Sequence, residues 1–315
     1  MIIAGVMSGT SCDGMTAAVI RVTGPRPAIR LLSRVTLSYP PAVRLDLLRL
    51  ASGEPAPASV FARTAALVAT WTVRALRTAA NRARVPLGRI TVAGVHGHTL
   101  FHGPGERPAV SWQACDLSRV AEATGVAIAG DFRARDVAAG GSGAPLAPWA
   151  HQRLFADPHE PRVILNLGGI ANVTWLPAGT RPGAVRAFDT GPGNMLLDLL
   201  ASRATRGRLD RDDGGRFAAR GRVQPRLLRR LLGHAFFRRR PPKSTGREEF
   251  GAALLPAFRG LGAPDALATA TAFTAASVAD QLARWLPAAR RAPGYAGGGG
   301  PRHPARVRAL RAARA

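Results

Sequence analysis

The sequence predicts an α/β protein whose two halves each contain a sheet. Short apolar runs typical of buried strands alternate with longer segments of helical periodicity, and this is the pattern of an α/β chain. Each half also opens in the same way, with a strand that enters a turn rich in Gly, Ser, Thr and Asn, first at residues 2–14 and again at 163–174. A length of 315 residues suits two domains. We place them at 1–135 and 136–315.

In the first half, residues 1–6 form a short apolar run that predicts a buried strand, and 15–22 predict a second strand across a polar turn. Apolar side chains recur at three-to-four spacing over 58–82, with arginines between them, which predicts a long amphipathic helix. Two more strands are predicted at 90–95 and 126–129. These elements supply the strands and the crossover helix of one sheet.

In the second half, strands are predicted at 163–167 and 184–188. The glycine-rich stretch 191–194 then interrupts the chain before a helix over 195–204, which carries its leucines on one face. A second helix is predicted to start with Asp265 as its N-cap and to end near Leu286. The second half therefore repeats the order of strands followed by helices.

The charge of the chain is strongly positive, with 44 basic residues against 19 acidic ones and a net charge of +25. Such an excess is typical of proteins that bind polyanions. Lys243 is the only lysine, however, and the arginines occur together with abundant Ala, Gly and Pro along the whole chain. A compositional bias explains the charge equally well, and no aromatic residues interleave the arginines at 238–240. We expect no nucleic-acid partner.

The two cysteines, Cys12 and Cys115, favour a reducing compartment because neither belongs to a CxxC motif or a zinc-type cluster. The N-terminus lacks the basic start and long apolar stretch of a secretory signal. The chain also lacks an apolar run of 18 residues, so no membrane span is expected. These features predict a cytoplasmic protein with no membrane partner.

Asp189 is the leading candidate for acid–base chemistry. It follows the strand predicted at 184–188 and precedes the turn at 190–194, so its carboxylate would project from a strand end into a glycine-flanked turn. An ionised carboxylate that substrate reaches is suited to be a general base. From the residues alone, an aspartate that caps the following helix is an equal alternative.

Three glycine-rich segments, 8–14, 168–172 and 297–300, would present backbone N–H groups to phosphate. Each signal is weak alone, since glycine turns often only reverse the chain. Two common nucleotide-binding motifs are absent. Residues 243–245 (KST) are preceded by Pro-Pro, which excludes a P-loop, and no GxGxxG follows a predicted strand. Two strand–turn–strand units fit an ATP clamp of the actin and hexokinase type instead.

His96, His98 and His102 form a cluster next to a predicted strand end. A metal site would need a further convergent ligand, so a loop that lines the substrate is the better interpretation. The segment 131–136 (DFRARD) combines carboxylates with guanidinium groups that would bind a polar substrate. A surface cluster of salt bridges is the alternative for that segment.

Taken together, the motifs resemble the anhydro-N-acetylmuramic acid kinase family, which belongs to the sugar kinase, Hsp70 and actin superfamily. The resemblance implies a two-domain actin-like ATPase (ribonuclease H-like) fold with ATP and the sugar in the interdomain cleft. Blocks in the family's order along nearly the whole chain carry it: 5–14 (GVMSGTSCDG), 96–99 (HGHT), 131–146 (DFRARDVAAGGSGAPL), 165–174 (LNLGGIANVT), 188–194 (FDTGPGN) and 242–248 (PKSTGRE).

The resemblance implies a kinase that uses ATP and Mg²⁺ in murein recycling. Water opens the 1,6-anhydro ring of the sugar, and the freed O6 takes the γ-phosphate, giving N-acetylmuramate 6-phosphate and ADP. It also implies a homodimer. By motif correspondence, the resemblance implies that Asp189 is the catalytic base and that Asp13 binds Mg²⁺ indirectly. The sugar would be bound by His96, Asp131, Arg133 and Asn194. ATP and its phosphates would be bound by Gly9, Thr10, Ser11, Cys12, Asp13, Gly14, Gly168, Gly169, Asn172, Gly297, Gly298 and Gly299.

The chain departs from the family at several positions. Gln is usual where this chain has His98 and Ser142. Family members also continue past the late glycine block with a strand, a helix bearing a Glu near the sugar, and a closing segment, whereas this sequence stops at Ala315. We therefore expect a truncated C-terminal part. The alternatives are a truncated, poorly active or inactive nucleotide-binding remnant, and a related kinase of another sugar.

Overall fold

The computed structural model describes residues 1–9, 12–24, 28–103, 105–179 and 181–298. Contacts between residues divide the chain into two compact units, Met1–Leu146 and Ala147–Ala315. The division predicted at 135/136 falls within a helix of the first unit, Phe132–Ala138. The predicted division into domains 1–135 and 136–315 stays a prediction.

The first unit is built around a five-stranded sheet with the order β3-β2-β1-β4-β7. β1, β2 and β3 form an antiparallel meander, whereas β4 is parallel to β1 and β7 is parallel to β4. β5 and β6 form a separate antiparallel pair. The elements are β1 Ile2–Ser8, β2 Gly14–Thr23, β3 Ala28–Ser38, α1 Pro41–Ala51, α2 Ala58–Ala83, β4 Val92–Val95, β5 His98–Gly103, β6 Val110–Ala114, α3 Leu117–Thr124, β7 Ile128–Ala129 and α4 Phe132–Ala138.

The core of the first unit lies between α2 and one face of this sheet. Val68 and Leu76 of α2 are buried in the same apolar cluster as Met15 and Val19 of β2. These helix positions recur on one side of the helix, so their burial explains the periodicity that predicted it. The Ser33 hydroxyl also donates to a backbone carbonyl of α2 at 2.6 Å. α2 is therefore fixed to β2 and β3.

The second unit is built around a four-stranded sheet with the order β10-β9-β8-β11. β8, β9 and β10 form an antiparallel meander, and β11 is parallel to β8. One face of the sheet packs on α9 through a buried apolar cluster. The elements are α5 Ala147–Phe155, β8 Arg162–Leu167, β9 Ile170–Leu176, β10 Arg186–Pro192, α6 Met195–Ala204, α7 Pro225–Leu232, α8 Arg247–Phe250, α9 Ala263–Trp285 and β11 Gly294–Gly298.

The two units share one strand arrangement. In each, the first three strands form an antiparallel meander, and a later strand adds beside the first strand in parallel, which gives the spatial order third, second, first, fourth. The predicted α/β class is confirmed, and so is the predicted repeat of a strand that enters a glycine turn in each half. Within the described residues, no helix is both long and apolar enough to cross a membrane.

Two predicted boundaries in the second unit are wrong. α9 begins at Ala263 with Gly262 as its N-cap, so Asp265 lies in the first turn instead of capping the helix. Proline has no N–H and a φ suited to a first helical turn, and Pro264 therefore allows the helix to begin before Asp265. β10 continues to Pro192 instead of ending at residue 188. Asp189 consequently lies within a strand.

Candidate active site

The predicted phosphate turn of the first unit follows the carboxyl end of β1. β1 ends at Ser8, and the N–H of Cys12 donates to the carbonyl oxygen of Gly9 at 3.0 Å. Cys12 has a φ of +53°, a left-handed conformation that tightens the turn before β2 begins at Gly14. The turn therefore places backbone groups at the end of a strand in the middle of the sheet. Two residues predicted for this turn lie outside the described residues: Thr10 and Ser11.

The remaining predicted residues of the first unit gather at one edge of its sheet. β1, β4 and β7 are mutually parallel, so their carboxyl ends lie together. Asp13 follows β1 and is exposed, His96 follows β4, and Asp131 and Arg133 follow β7. Open α/β sheets bind ligands outside the carboxyl ends of their strands. The structure thus brings these four side chains to the edge where a ligand is expected.

His98 lies beneath the turn instead of lining a substrate loop as predicted. Its Nδ1 is 2.9 Å from the Ser8 hydroxyl, and its Nε2 is 3.3 Å from the Cys12 thiol. The side chain is fully buried. β5 begins at His98, and its first residue faces the protein interior. His98 therefore connects both ends of the phosphate turn, a role that the HGHT motif gave no sign of.

Arg133 organises a polar network at this edge. Its Nε donates to Nε2 of His96 at 3.1 Å, and its Nη1 donates to the carbonyl oxygen of Gly143 at 2.7 Å. The N–H of Gly143 in turn donates to the Asp136 carboxylate at 2.7 Å. The segment 131–136 therefore anchors the following loop, which corrects the alternative of a surface salt-bridge cluster. None of the ion pairs found among the described residues includes Arg133.

His96 is uncharged in this network. Burial lowers the pKa of His96, and the positive charge of Arg133 lowers it further. Its Nε2 accepts the hydrogen bond from Arg133, so this nitrogen carries no proton. Burial and Arg133 also lower the pKa of His102. The partly buried guanidinium of Arg133 thus lies beside the neutral imidazole of His96.

The second unit gathers its glycine motifs at the equivalent edge. β8, β10 and β11 run in the same direction, and their carboxyl ends carry the Gly168–Gly169 turn, the 189–194 motif and Gly297 with Gly298. Gly297 and Gly298 lie within β11 rather than in the predicted turn. Gly299, the remaining predicted residue of this group, lies outside the described residues.

Two of these motifs interlock through backbone hydrogen bonds. The N–H of Gly193 donates to the carbonyl oxygen of Gly169 at 2.9 Å, and the N–H of Asn194 donates to that of Gly168 at 2.7 Å. The Asn194 side-chain amide also donates to the carbonyl oxygen of Leu167 at 3.0 Å. A Cβ at Gly193 would lie 2.2 Å from the Gly168 oxygen, so this contact requires glycine. The predicted sugar-binding Asn194 thus braces the neighbouring turn.

A row of polar side chains crosses the second sheet close to this edge. Asn172 pairs directly with Asp189 on one side and with Asn166 on the other, so the three side chains lie on the same face. Gly297 of β11 pairs with Asn166 on its other side and adds no side chain there. The predicted ATP-binding Asn172 is therefore a direct neighbour of the predicted base. Asn166 was not among the predicted residues, although it belongs to the LNLGGIAN motif.

Asp189 is partly buried and hydrogen-bonded to a segment distant in sequence. Its carboxylate accepts a hydrogen bond from the N–H of Thr245 at 2.9 Å, and its own N–H donates to the carbonyl oxygen of Lys243 at 3.0 Å. Burial raises the pKa of Asp189 to about 6, against the lowering effect of the Thr245 N–H. Asn194, not Asp189, occupies the N-cap position of α6. The helix-capping alternative is therefore wrong.

Metal ligands do not cluster in the described part of the chain: no three His, Cys, Asp or Glu side chains there converge as ligands would. Asp13 offers an exposed carboxylate beside the phosphate turn. Mg²⁺ is commonly bound through one or two carboxylates together with substrate phosphates. The chemistry of this donor thus fits the predicted indirect contact with Mg²⁺.

A sheet of the order third, second, first, fourth that occurs twice in one chain, with glycine turns at the carboxyl edge of each copy, defines the actin-like class of α/β proteins. The model of the family described as anhydro-N-acetylmuramic acid kinase matches residues 1–313. The chain belongs to this family.

Relatives of known name support the assignment. Over 305 residues, the chain is 42% identical to an anhydro-N-acetylmuramic acid kinase of Xanthomonas axonopodis pv. citri, which covers 95% of this chain and 80% of the relative. It is 41% identical over 303 residues to the enzyme of that name from Acidithiobacillus ferrooxidans, covering 93% and 74%. The activator of the 2-hydroxyisocaproyl-CoA dehydratase from Clostridium difficile, solved with bound ADPNP, is a structural neighbour at 13% identity, 99% and 85% coverage and a TM-score of 0.49. That last similarity carries no functional assignment.

Proposed function

We propose that this protein is an ATP-dependent kinase that hydrolytically opens 1,6-anhydro-N-acetylmuramic acid and phosphorylates O6. The family to which the chain belongs supports the activity. The observation that carries the proposal is Asp189, a partly buried carboxylate with a pKa raised to about 6, beside the interlocked glycine motifs. A base of this kind is charged near neutral pH and still basic enough to take a proton from water.

In the proposed reaction, Asp189 accepts a proton from a water molecule as the water oxygen bonds to the anomeric carbon C1. The bond between C1 and O6 breaks, and O6 bonds to the γ-phosphorus of ATP as the bond to the ADP oxygen breaks. The products are N-acetylmuramate 6-phosphate and ADP, and the proton on Asp189 returns to solvent. Phosphoryl transfer depends mainly on positioning and charge stabilisation, which suits a site built from backbone turns.

The glycine turns are the proposed binding elements for ATP. The turn that includes Gly9, Cys12 and Asp13 would hold phosphates in the first unit, and the Gly168–Gly169 turn would do so in the second. Backbone N–H groups of turns at strand ends bind anions well. Mg²⁺, held through Asp13 and the phosphates, would neutralise negative charge on the phosphates. Gly297 and Gly298 would lie against the nucleotide.

Arg133 is the proposed recognition group for the carboxylate that makes this sugar an acid. Its guanidinium is partly buried, and the contacts it makes are with neutral groups, the His96 imidazole and the Gly143 carbonyl. A cation in that setting gains most from an anionic ligand. Asp131, exposed next to it, would bind sugar hydroxyls. The muramic acid would therefore be distinguished from neutral sugars at this edge.

A product assay tests the proposed activity. The purified chain is incubated with ATP, Mg²⁺ and, in separate reactions, 1,6-anhydro-N-acetylmuramic acid, free N-acetylmuramic acid or glucose, and products are identified by mass spectrometry. We expect a phosphorylated, ring-opened product from the anhydro sugar alone. Phosphorylation of glucose or the free acid instead would favour the related kinase of another sugar. Nucleotide binding without turnover of any sugar would favour the inactive nucleotide-binding protein.

Homodimerisation and a cytoplasmic location are also proposed, on the basis of the family. Size-exclusion chromatography with light scattering measures the mass of the particle directly. A mass of twice the 33.0 kDa chain is the expected result. A mass equal to one chain across the micromolar range would contradict the dimer. Fractionation of cells that produce the chain would test the location.

A further inference from the structure

Lys243 is chemically exceptional in this chain. The chain has 44 Lys and Arg residues, and all of them except Lys243 are arginine. In a sequence so biased toward arginine, we expect arginine at every position where a guanidinium works as well as an ammonium. Lysine has a compact ammonium with three donors, whereas arginine has a planar, larger head group, so the two are not interchangeable at a confined site. Position 243 is therefore the place to look for a requirement that arginine does not meet.

The structure places the Lys243 ammonium in a confined polar and aromatic setting. Its Nζ donates to the backbone carbonyl of Phe236 at 3.0 Å and to the side-chain oxygen of Gln281. It also lies 4.3 Å from the centre of the Phe236 ring and 5.9 Å from that of Trp285. The electron-rich ring faces stabilise a cation at these distances. Several partners thus converge on one small ammonium group.

These contacts tie the segment 243–245 to helix α9. Gln281 lies on α9, and its amide nitrogen donates to the carbonyl oxygen of Phe237, while Trp285 donates its indole N–H to the Gln281 oxygen. The same short segment holds Asp189 through its backbone, because the Lys243 carbonyl accepts from Asp189 and the Thr245 N–H donates to it. The ammonium and the predicted base are therefore connected through the short segment 243–245.

We propose that Lys243 is a positioning residue for the catalytic base: its ammonium fixes residues 243–245 on α9 so that the Thr245 N–H stays on the Asp189 carboxylate. The inference rests on the proposed role of Asp189. Without this anchor, the segment would move, the Thr245 hydrogen bond would weaken, and the carboxylate would lose a contact that favours its charged form. The charged groups that face Lys243 are Asp280 on α9, Arg239 and Arg284.

The test compares Lys243→Met and Lys243→Arg with Arg284→Gln as the matched control. Arg284 is an exposed cation on α9 that pairs with Asp280 and makes no hydrogen bond to the 243–245 segment among the described residues. For each variant, the pH profile of kcat/KM, the KM for ATP and the Tm are measured. We expect both Lys243 variants to lose about tenfold or more in kcat, with the acid limb moved to higher pH and the KM for ATP nearly unchanged. Arg284→Gln should keep the wild-type profile.

A lower Tm with an unmoved acid limb in Lys243→Met would overturn the inference, because a purely structural contact does not change the protonation of Asp189. Wild-type behaviour of Lys243→Arg would also contradict it. If Lys243→Met does not fold, Gln281→Leu removes an acceptor of the ammonium and keeps the charge, and its acid limb decides in the same way. Turnover retained in Asp189→Asn would instead refute the role of Asp189 as the base, on which the inference rests, whereas no turnover of the anhydro sugar by the unmodified chain would refute the proposed function.

Discussion

The N–H of Thr245 donates a 2.9 Å hydrogen bond to the carboxylate of Asp189 across 56 residues of sequence. This bond favours the charged carboxylate, and burial favours the neutral one. Burial prevails, since the pKa of Asp189 is raised to about 6. The protein thus holds a carboxylate that changes its charge close to neutral pH at the carboxyl edge of the second sheet.

The first prediction concerns pH. A general base acts only when deprotonated, so kcat/KM should fall as pH decreases through about 6, tenfold per pH unit below it. The measurement is a pH profile with the anhydro sugar, and each sample is also assayed at pH 7.5 after exposure to acid to separate titration from denaturation. An acid limb near 4, the ordinary range of an aspartate, would show that burial does not raise the pKa of the catalytic base.

The second prediction concerns the interlocked glycine motifs. Gly193→Ala should lower the free energy of unfolding by more than about 2 kcal/mol, because the new Cβ would meet the Gly168 oxygen at 2.2 Å. Gly168→Ala is the matched control for stability, since its nearest non-adjacent atom would be 3.5 Å away. Urea denaturation measures both. Equal stability of the two variants would show that the motifs do not pack as described.

The third prediction concerns His98. His98→Ala removes two hydrogen bonds from beneath the phosphate turn, to Ser8 and Cys12. We expect a loss of about 1–3 kcal/mol in stability and a higher KM for ATP. His98→Gln, which keeps a polar side chain that reaches Ser8, should recover most of the ATP affinity. A changed sugar preference with unchanged KM for ATP would instead place His98 in the sugar site.

The fourth prediction concerns Arg133. If its guanidinium binds the carboxylate of the sugar, Arg133→Met should lower kcat/KM for anhydro-N-acetylmuramic acid by about 10- to 100-fold, the equivalent of one charged hydrogen-bonding contact. Turnover of the corresponding anhydro-N-acetylglucosamine, which lacks that carboxylate, should change little. Arg135→Met, an exposed neighbour on α4, is the control. Equal losses for both sugars would assign Arg133 to positioning of the loop alone.

The strands and helices with strong periodicity were predictable from sequence. The periodic run over 58–82 corresponds to α2, Ala58–Ala83. It was predictable because the side chains that the core buries recur at helical spacing in the sequence. The edge strand β3, Ala28–Ser38, was not predicted, since only Ser33 and Val35 in it are buried and its exposed positions include Leu31. Strand periodicity weakens where the backbone of an edge strand faces solvent.

Residues of the candidate site were predictable where they belong to a single sequence motif. Contacts between segments distant in sequence were not predictable. Asp189 and the glycine turns stand out because glycine and carboxylate have few roles at strand ends. The contact between Thr245 and Asp189 gave no local signal, since a backbone N–H is common to nearly all residues. The hydrogen bonds of His98 to the phosphate turn depend on β4 and β5 returning the chain to β1, which no spacing in the sequence reveals.

The most direct test of the account is the turnover of Asp189→Asn with ATP and 1,6-anhydro-N-acetylmuramic acid, measured beside its nucleotide affinity by calorimetry. Asparagine keeps the volume and an oxygen that accepts from the Thr245 N–H, while it removes the negative charge and the ability to take a proton. We predict loss of phosphorylation by at least about 100-fold with ATP binding retained. Turnover equal to that of the unmodified protein would contradict the assignment of Asp189 as the base.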